Sequence, residues 1–156
     1  EMPLPRTTRT RNFVPWQVRT NVWSLPTAHV PPFGYVWTCE RLVMRGAELL
    51  ASMIAGKKTL TTRCWCDSTV RRMQAVARAG HLVRVQKAYE FSSIIGWALL
   101  ASVSAPALAL SVLNQHTLKL AGCGHLSTPA YIREYISCDD PNPLVVLVVI
   151  RSFWQI

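Results

Sequence analysis

The longest apolar stretch of the chain runs from Phe91 to Leu118 and contains 28 consecutive residues without a formal charge. Its first 23 residues, Phe91 to Leu113, are mostly Ile, Leu, Val, Ala and Ser. At about 1.5 Å per residue, a helix of this length reaches about 34 Å, slightly more than the ~30 Å hydrocarbon core of a bilayer. The pattern therefore predicts a single transmembrane helix over residues 91–113. A fully buried helix of a globular domain is the alternative.

The predicted transmembrane helix is rich in small residues. Those that would share one face are Ala98, Ala101, Ser102, Ala105 and Ala109. Helices associate in lipid by close packing, which small side chains permit, so we predict that this face contacts other helices. Pro106 predicts a kink, because proline removes a backbone N–H and clashes with the carbonyl four residues earlier.

Two segments before this stretch also have helical periodicity. Residues 39–56 predict an amphipathic helix that ends at Gly56, with Lys57 and Lys58 at the negative end of the helix dipole. It would lie on a membrane or on a larger subunit, and a helix packed on its own domain is the alternative.

Residues 67–90 predict a basic helix, capped by Asp67 or Ser68, that leads directly into the membrane. At its far end, Arg84 and Lys87 would extend their charged ends to the lipid headgroups.

The two ends of the chain lack this regularity. Residues 1–38 combine prolines, arginines and aromatic residues, which indicates an extended arm. We expect Trp16, Trp23 and Trp37 to anchor this arm in pockets of a partner protein. Stacking on nucleic-acid bases and placement at the membrane interface are the alternatives. Residues 114–156 predict an irregular tail. It would hold a short helix beginning near Pro129 and an apolar run, Leu144–Ile150, that is either a strand paired with another chain or a helical stub. The predicted fold class is therefore mainly α with one transmembrane helix.

Charge predicts the orientation in the membrane. The chain has a formal charge of +9, and 14 of its 17 Lys and Arg residues lie in residues 1–87. Lys and Arg next to a transmembrane helix favour the cytoplasmic or matrix side. For a mitochondrial inner-membrane protein, this places the N-terminus in the matrix and the C-terminus in the intermembrane space.

Catalytic motifs are absent from the sequence. Hydrolase triads, phosphate-binding loops and dinucleotide fingerprints are missing, so we expect neither an enzyme nor a bound cofactor. We expect no metal site, because the predicted membrane separates Cys39, Cys64 and Cys66 from the other candidate ligands. Buried free thiols are the simplest expectation for the cysteines. A disulfide between Cys123 and Cys138 is the alternative for the side predicted to be oxidising.

In overall build, the chain resembles the supernumerary subunits of mitochondrial inner-membrane complexes. That resemblance implies a non-catalytic accessory subunit of a respiratory-chain complex or of the ATP synthase, which supports assembly and stability. Its partners would be other subunits and lipid headgroups, and nucleic acid would be an improbable partner. The alternative function is an RNA-bound mitochondrial ribosomal protein with a basic arm. The RNA-binding alternative is favoured if residues 91–113 do not span a membrane.

Overall fold

A computed structural model describes residues 31–156 of the chain and shows a mixed α/β fold. Its strands are Trp37–Val43 (β1), Leu60–Arg63 (β2), Leu82–Gln86 (β3), Ile94–Val103 (β4), Ala107–Leu108 (β5) and Leu144–Gln155 (β6). Its helices are Ala47–Ile54 (α1), Asp67–Ala79 (α2), Ala109–Val112 (α3), Gln115–Leu120 (α4) and Thr128–Tyr131 (α5). The strands form a six-stranded sheet in the order β1-β3-β4-β6-β2, with β5 paired to β6.

The stretch that predicts a transmembrane helix is mostly β-strand. A 3₁₀ turn at Phe91–Ser93 leads into β4, and Pro106 lies in the loop between β4 and β5. β-Branched and aromatic residues such as Ile94, Ile95 and Trp97 favour a strand, and a strand buried on both faces is apolar throughout.

The membrane predictions are therefore wrong. None of the helices in the described part of the chain is both long and apolar enough to cross a bilayer. This finding overturns the mainly α single-span fold and the location in the mitochondrial inner membrane, together with the orientation derived from it. It also removes the basis for assigning the chain to the respiratory chain.

The face of small residues does not form, because those residues do not share a helix. Ala98 is buried in β4, whereas Ala101 and Ser102 in the same strand are exposed. Ala105 is exposed in the following loop, and Ala109 is buried at the start of α3. The predicted kink at Pro106 is replaced by the end of a strand.

Residues 39–56 are also not one helix. Strand β1 occupies the segment up to Val43, and α1 begins only at Ala47. The end of this helix agrees with the prediction, because α1 stops at Ile54, shortly before Gly56.

The basic helix begins at Asp67 as predicted but ends at Ala79. The chain then enters β3, in which Arg84 donates a hydrogen bond from Nη2 to the Cys39 carbonyl over 2.8 Å. Lys87 is exposed just after that strand. Neither residue adjoins a transmembrane helix, so the expected headgroup contacts have no basis.

The described chain divides into two compact units, the first of which comprises residues 31–45, 79–99 and 152–156. Within it, β3 runs parallel to β1 and antiparallel to β4. Its core consists of Leu82, Ile94, Trp97 and Leu99, flanked by Trp37 and Trp154. The Trp37 ring lies 5.6 Å from the Trp97 ring, centroid to centroid. Contact of Trp37 with a partner stays a prediction, and Trp16 and Trp23 lie outside the described residues.

The second unit comprises residues 46–78 and 100–151. Both β2 and β5 run antiparallel to β6, so the Leu144–Ile150 run is a strand whose partners lie in this chain rather than in another. The predicted short helix is confirmed as α5, with Pro129 in its first turn, and it continues as a π-helical turn, Ile132–Ile136. The core of this unit contains Ala109, Leu113, Leu118, Cys123, Tyr131, Ile132 and Val145.

Candidate anion-binding site

A buried lysine lies two residues before β2, in the second unit. Lys58 is only 3% exposed, and its ammonium donates hydrogen bonds to the carbonyls of Leu60 and Ala121, each over 2.8 Å. Ala121 caps the C-terminal end of α4, where the helix dipole favours a positive charge. An ammonium has three donors, so the third remains for another acceptor.

The backbone around Lys58 is held on both sides. Its N–H donates to the Ser52 carbonyl over 3.0 Å, and the N–H of Thr59 donates to the Leu120 carbonyl over 2.9 Å. Gly122 adopts a left-handed conformation with φ +84°, and a Cβ built there would lie 3.6 Å from Cβ of Lys58. Glycine adopts this conformation readily, and the turn at Gly122 places the chain after α4 in contact with the lysine. The backbone of Lys58 is therefore fixed by its surroundings.

A second cation lies at the end of β2. The half-buried Arg63 donates from Nη1 to Oγ1 of Thr61 over 2.9 Å and to the Thr62 carbonyl over 3.0 Å. Thr61 and Thr62 are both buried. Residues 58–63 therefore hold two cations and three hydroxyl side chains in one short segment.

The electrostatics of Lys58 are unfavourable for a positive charge. Burial and, to a smaller extent, the Arg63 charge lower the pKa of Lys58 from its ordinary value of 10.5 to about 8, against an opposing effect of Cys123. Burial also raises the pKa of the Cys123 thiol, so this sulfur stays neutral at pH 7. Among the described residues, no carboxylate hydrogen-bonds the ammonium. Lys58 is still mostly protonated at pH 7, so the unit retains a buried positive charge without a partner of opposite charge.

Two tyrosines adjoin these groups. The hydroxyl of Tyr131 shares a hydrogen bond of 2.8 Å with Oγ1 of Thr62, and burial raises the pKa of that phenol. The Tyr131 ring lies 5.3 Å from that of Tyr135, with 33° between the ring planes. Tyr135, in the π-helical turn, is 40% exposed. π-Helical turns occur frequently at functional sites.

We call Lys58, Thr62, Arg63, Tyr131 and Tyr135 the Lys58 cluster. Sequence reasoning missed this cluster. It assigned Lys58 to the end of a helix and gave Arg63 and Tyr131 no joint role. The one available signal was local: Thr59, Thr61 and Thr62 have high β-propensity, so this segment predicts a strand that ends in an arginine.

The predicted cysteine chemistry has a different outcome. All five cysteines carry free thiols in the structure, and Cys123 alone is buried. The expectation of buried thiols is thus wrong for Cys39, Cys64, Cys66 and Cys138. Pairing of Cys123 with Cys138 stays a prediction, but the oxidising compartment that motivated it rested on the overturned membrane topology. Within residues 31–156, no group of three or more His, Cys, Asp or Glu side chains is placed to hold a metal ion.

Comparison with known proteins adds little. Neither protein-family models nor curated proteins match this sequence. Among solved structures, the chain is similar to a serine-to-alanine variant of ZmASCH from Zymomonas mobilis, with 15% sequence identity and a TM-score of 0.40. The similarity covers 75% of this chain and 68% of the other. A likeness this distant carries no argument about function.

Proposed function

We propose that this chain is a non-catalytic RNA-binding protein in which Lys58, supported by Arg63, contacts backbone phosphate. The observation that carries the proposal is the buried, protonated Lys58, whose hydrogen-bond partners are neutral carbonyls and whose strongest charged neighbour is another cation. Burying a charge is costly unless it is paired. A bound anion supplies the missing opposite charge.

The charge of the chain favours RNA over a small anion. The second unit holds nine Lys and Arg residues against five Asp and Glu residues, a formal charge of +4, within a chain of +9. Arg71 and Arg78 are exposed on the same face of α2, because they lie seven positions apart. A polyanion can contact several such cations at once, and phosphate contacts dominate the affinity of nucleic-acid binding.

The exposed tyrosine ring is the second feature that fits RNA. Tyr135 stacks against Tyr131 and is part of the cluster around Lys58 through Tyr131 and Thr62. Exposed aromatic rings provide stacking surfaces for unpaired bases. Single-stranded RNA therefore fits the cluster better than a duplex, whose bases are already stacked.

Other predictions about function remain open. That the chain is not an enzyme, that it serves as an accessory subunit and that it contacts other subunits stay predictions. RNA binding is compatible with an accessory role in a ribonucleoprotein assembly. It replaces the expectation that nucleic acid is an improbable partner, because that expectation depended on the membrane.

The test compares two neighbouring lysines. Lys58→Met removes the buried charge and keeps a similar apolar stem, whereas Lys57→Met removes an exposed charge one residue away. We expect Lys58→Met to weaken binding of a short fluorescent single-stranded RNA about tenfold or more, since a hydrogen bond to a charged group contributes about 1.5–3 kcal/mol. Lys57→Met should weaken it less than about fivefold. Fluorescence anisotropy at fixed ionic strength measures both.

The pH dependence of RNA affinity in the wild-type protein tests the same contact without relying on the folding of Lys58→Met. Affinity for an RNA of adenosine and cytidine alone, whose bases do not titrate in this range, should fall as pH rises through about 8, because Lys58 then loses its proton. The proposal is contradicted if both variants bind alike, or if the wild-type affinity is flat across that range. Binding of inorganic phosphate but not of RNA would contradict the choice of ligand.

A further inference from the structure

Two exposed thiols lie between β2 and α2. Cys64 and Cys66 flank the half-buried Trp65, one residue after Arg63 and directly before the helix. Neither side chain belongs to the core or to the Lys58 cluster, so neither packing nor anion binding accounts for their exposure. Their spacing places two exposed sulfurs in one short, irregular segment.

The Cys66 sulfur is surrounded by hydrogen-bond donors. Its Sγ lies 3.3 Å from Oγ of Ser68 and 3.4 Å from Oγ1 of Thr69. These hydroxyls, together with the backbone N–H groups of Thr69 and Ser68, lower the pKa of the Cys66 thiol to about 6. At neutral pH the sulfur is therefore mostly a thiolate, the nucleophilic form.

The Cys64 sulfur has the opposite character. Desolvation raises the pKa of the Cys64 thiol, Arg63 partly offsets this effect, and Asp140 adds to it. Cys64 therefore keeps its proton at neutral pH. One exposed thiolate next to one exposed thiol is the arrangement of a redox-sensing cysteine with its resolving partner.

The chain permits the two sulfurs to meet. Two residues of extended chain span at most about 7 Å, and disulfides bridge Cα atoms about 4.4–6.8 Å apart. The segment from Cys64 to Cys66 is in neither a helix nor a strand, so closing the bond moves residues that lie outside β2 and α2.

We propose that Cys66 and Cys64 form a reversible oxidation site for hydroperoxides, independent of the RNA-binding proposal. The Cys66 thiolate attacks a peroxide oxygen and the O–O bond breaks. Cys66 becomes a sulfenic acid, oxidised by two electrons, and the other oxygen takes a proton and leaves as water or an alcohol. The Cys64 sulfur then attacks the Cys66 sulfur; the S–S bond forms, the S–O bond breaks, and hydroxide leaves with the Cys64 proton as water. A dithiol reductant restores both thiols by exchange.

The test uses the reduced full-length chain and hydrogen peroxide. After oxidation, free thiols are blocked with N-ethylmaleimide and the protein is cut with trypsin, which releases residues 64–71 as one peptide containing both cysteines. We expect this peptide to become two hydrogens lighter and to escape alkylation, while the peptide with Cys138 stays alkylated. Dithiothreitol should reverse the change. Cys66 should react with peroxide several-fold faster than Cys138. The difference is no larger because a thiolate of lower pKa is also intrinsically less nucleophilic.

Three variants separate the steps. Cys64→Ser should stop the reaction at a Cys66 sulfenic acid, which dimedone labels. Cys66→Ser should leave Cys64 reduced, and Cys138→Ser, the matched exposed control, should behave like the wild type. Three results overturn the proposal: a disulfide to Cys138, a disulfide between chains, or oxidation of Cys138 as fast as that of Cys66.

Discussion

Gly96→Ala is expected to destabilise the protein by about 3 kcal/mol or more. Gly96 is buried in β4, and a Cβ built there would overlap the Trp154 carbonyl oxygen. It would also lie 2.6 and 2.7 Å from two ring carbons of Phe153. Real Cβ atoms do not approach other heavy atoms this closely, so β6 would have to shift. Urea unfolding followed by tryptophan fluorescence measures the loss.

Gly46→Ala is the matched control. Gly46 precedes α1, its φ is −73°, and an added Cβ would meet only Leu49 side-chain atoms at 3.6 Å or more. Its expected cost is below about 1 kcal/mol. Equal stability losses in the two variants would contradict the close approach of β4 and β6 at Gly96.

Raising the pH from 8 to 10.5 is expected to add about 3 kcal/mol to the free energy of unfolding through Lys58 alone. Below pH 8, Lys58 is charged in both the folded and the unfolded states. Between about 8 and 10.5, the unfolded chain binds a proton that the folded chain has lost, so stability rises with pH. Above 10.5 the lysine is neutral in both states and the gain levels off.

The measurement is a difference between two proteins. Tyrosines and cysteines titrate in the same range, so urea unfolding is followed from pH 7 to 10.5 in the wild type and in Lys58→Met. The wild type should gain stability relative to the variant by about 3 kcal/mol, an upper value because residual hydration reduces it. Parallel pH profiles would show that Lys58 titrates alike in both states and is not strained by burial.

The sequence predicts some elements well and fails on the segment that matters most for the fold. The start of α2 at Asp67 and the helix at Pro129 follow from capping residues and turn chemistry, which act locally. The β4 segment fails because a long uncharged run fits both a transmembrane helix and a buried strand followed by a loop and a short helix. Length favoured the first, and β-branched Ile94 and Ile95 favoured the second.

Local sequence patterns did not predict the candidate site, for a different reason. Lys58 is buried because it reaches the carbonyl of Ala121, 63 residues away, and Thr62 meets Tyr131 across 69 residues. No periodicity marks such contacts. The basic composition of the chain nevertheless supports RNA binding as the alternative function. RNA binding is the leading proposal because the predicted membrane segment is mostly a strand.

The most direct test of the Lys58 site is the pKa of this lysine with and without RNA. The chain has four lysines, so ¹³C-labelled lysine gives four resolvable Hε–Cε signals that single variants assign. In the free protein, the signal missing from Lys58→Met should titrate near pH 8. Saturating single-stranded RNA should raise that midpoint, because a nearby phosphate favours the charged ammonium. RNA that binds but leaves the Lys58 midpoint unchanged would contradict the proposed phosphate contact.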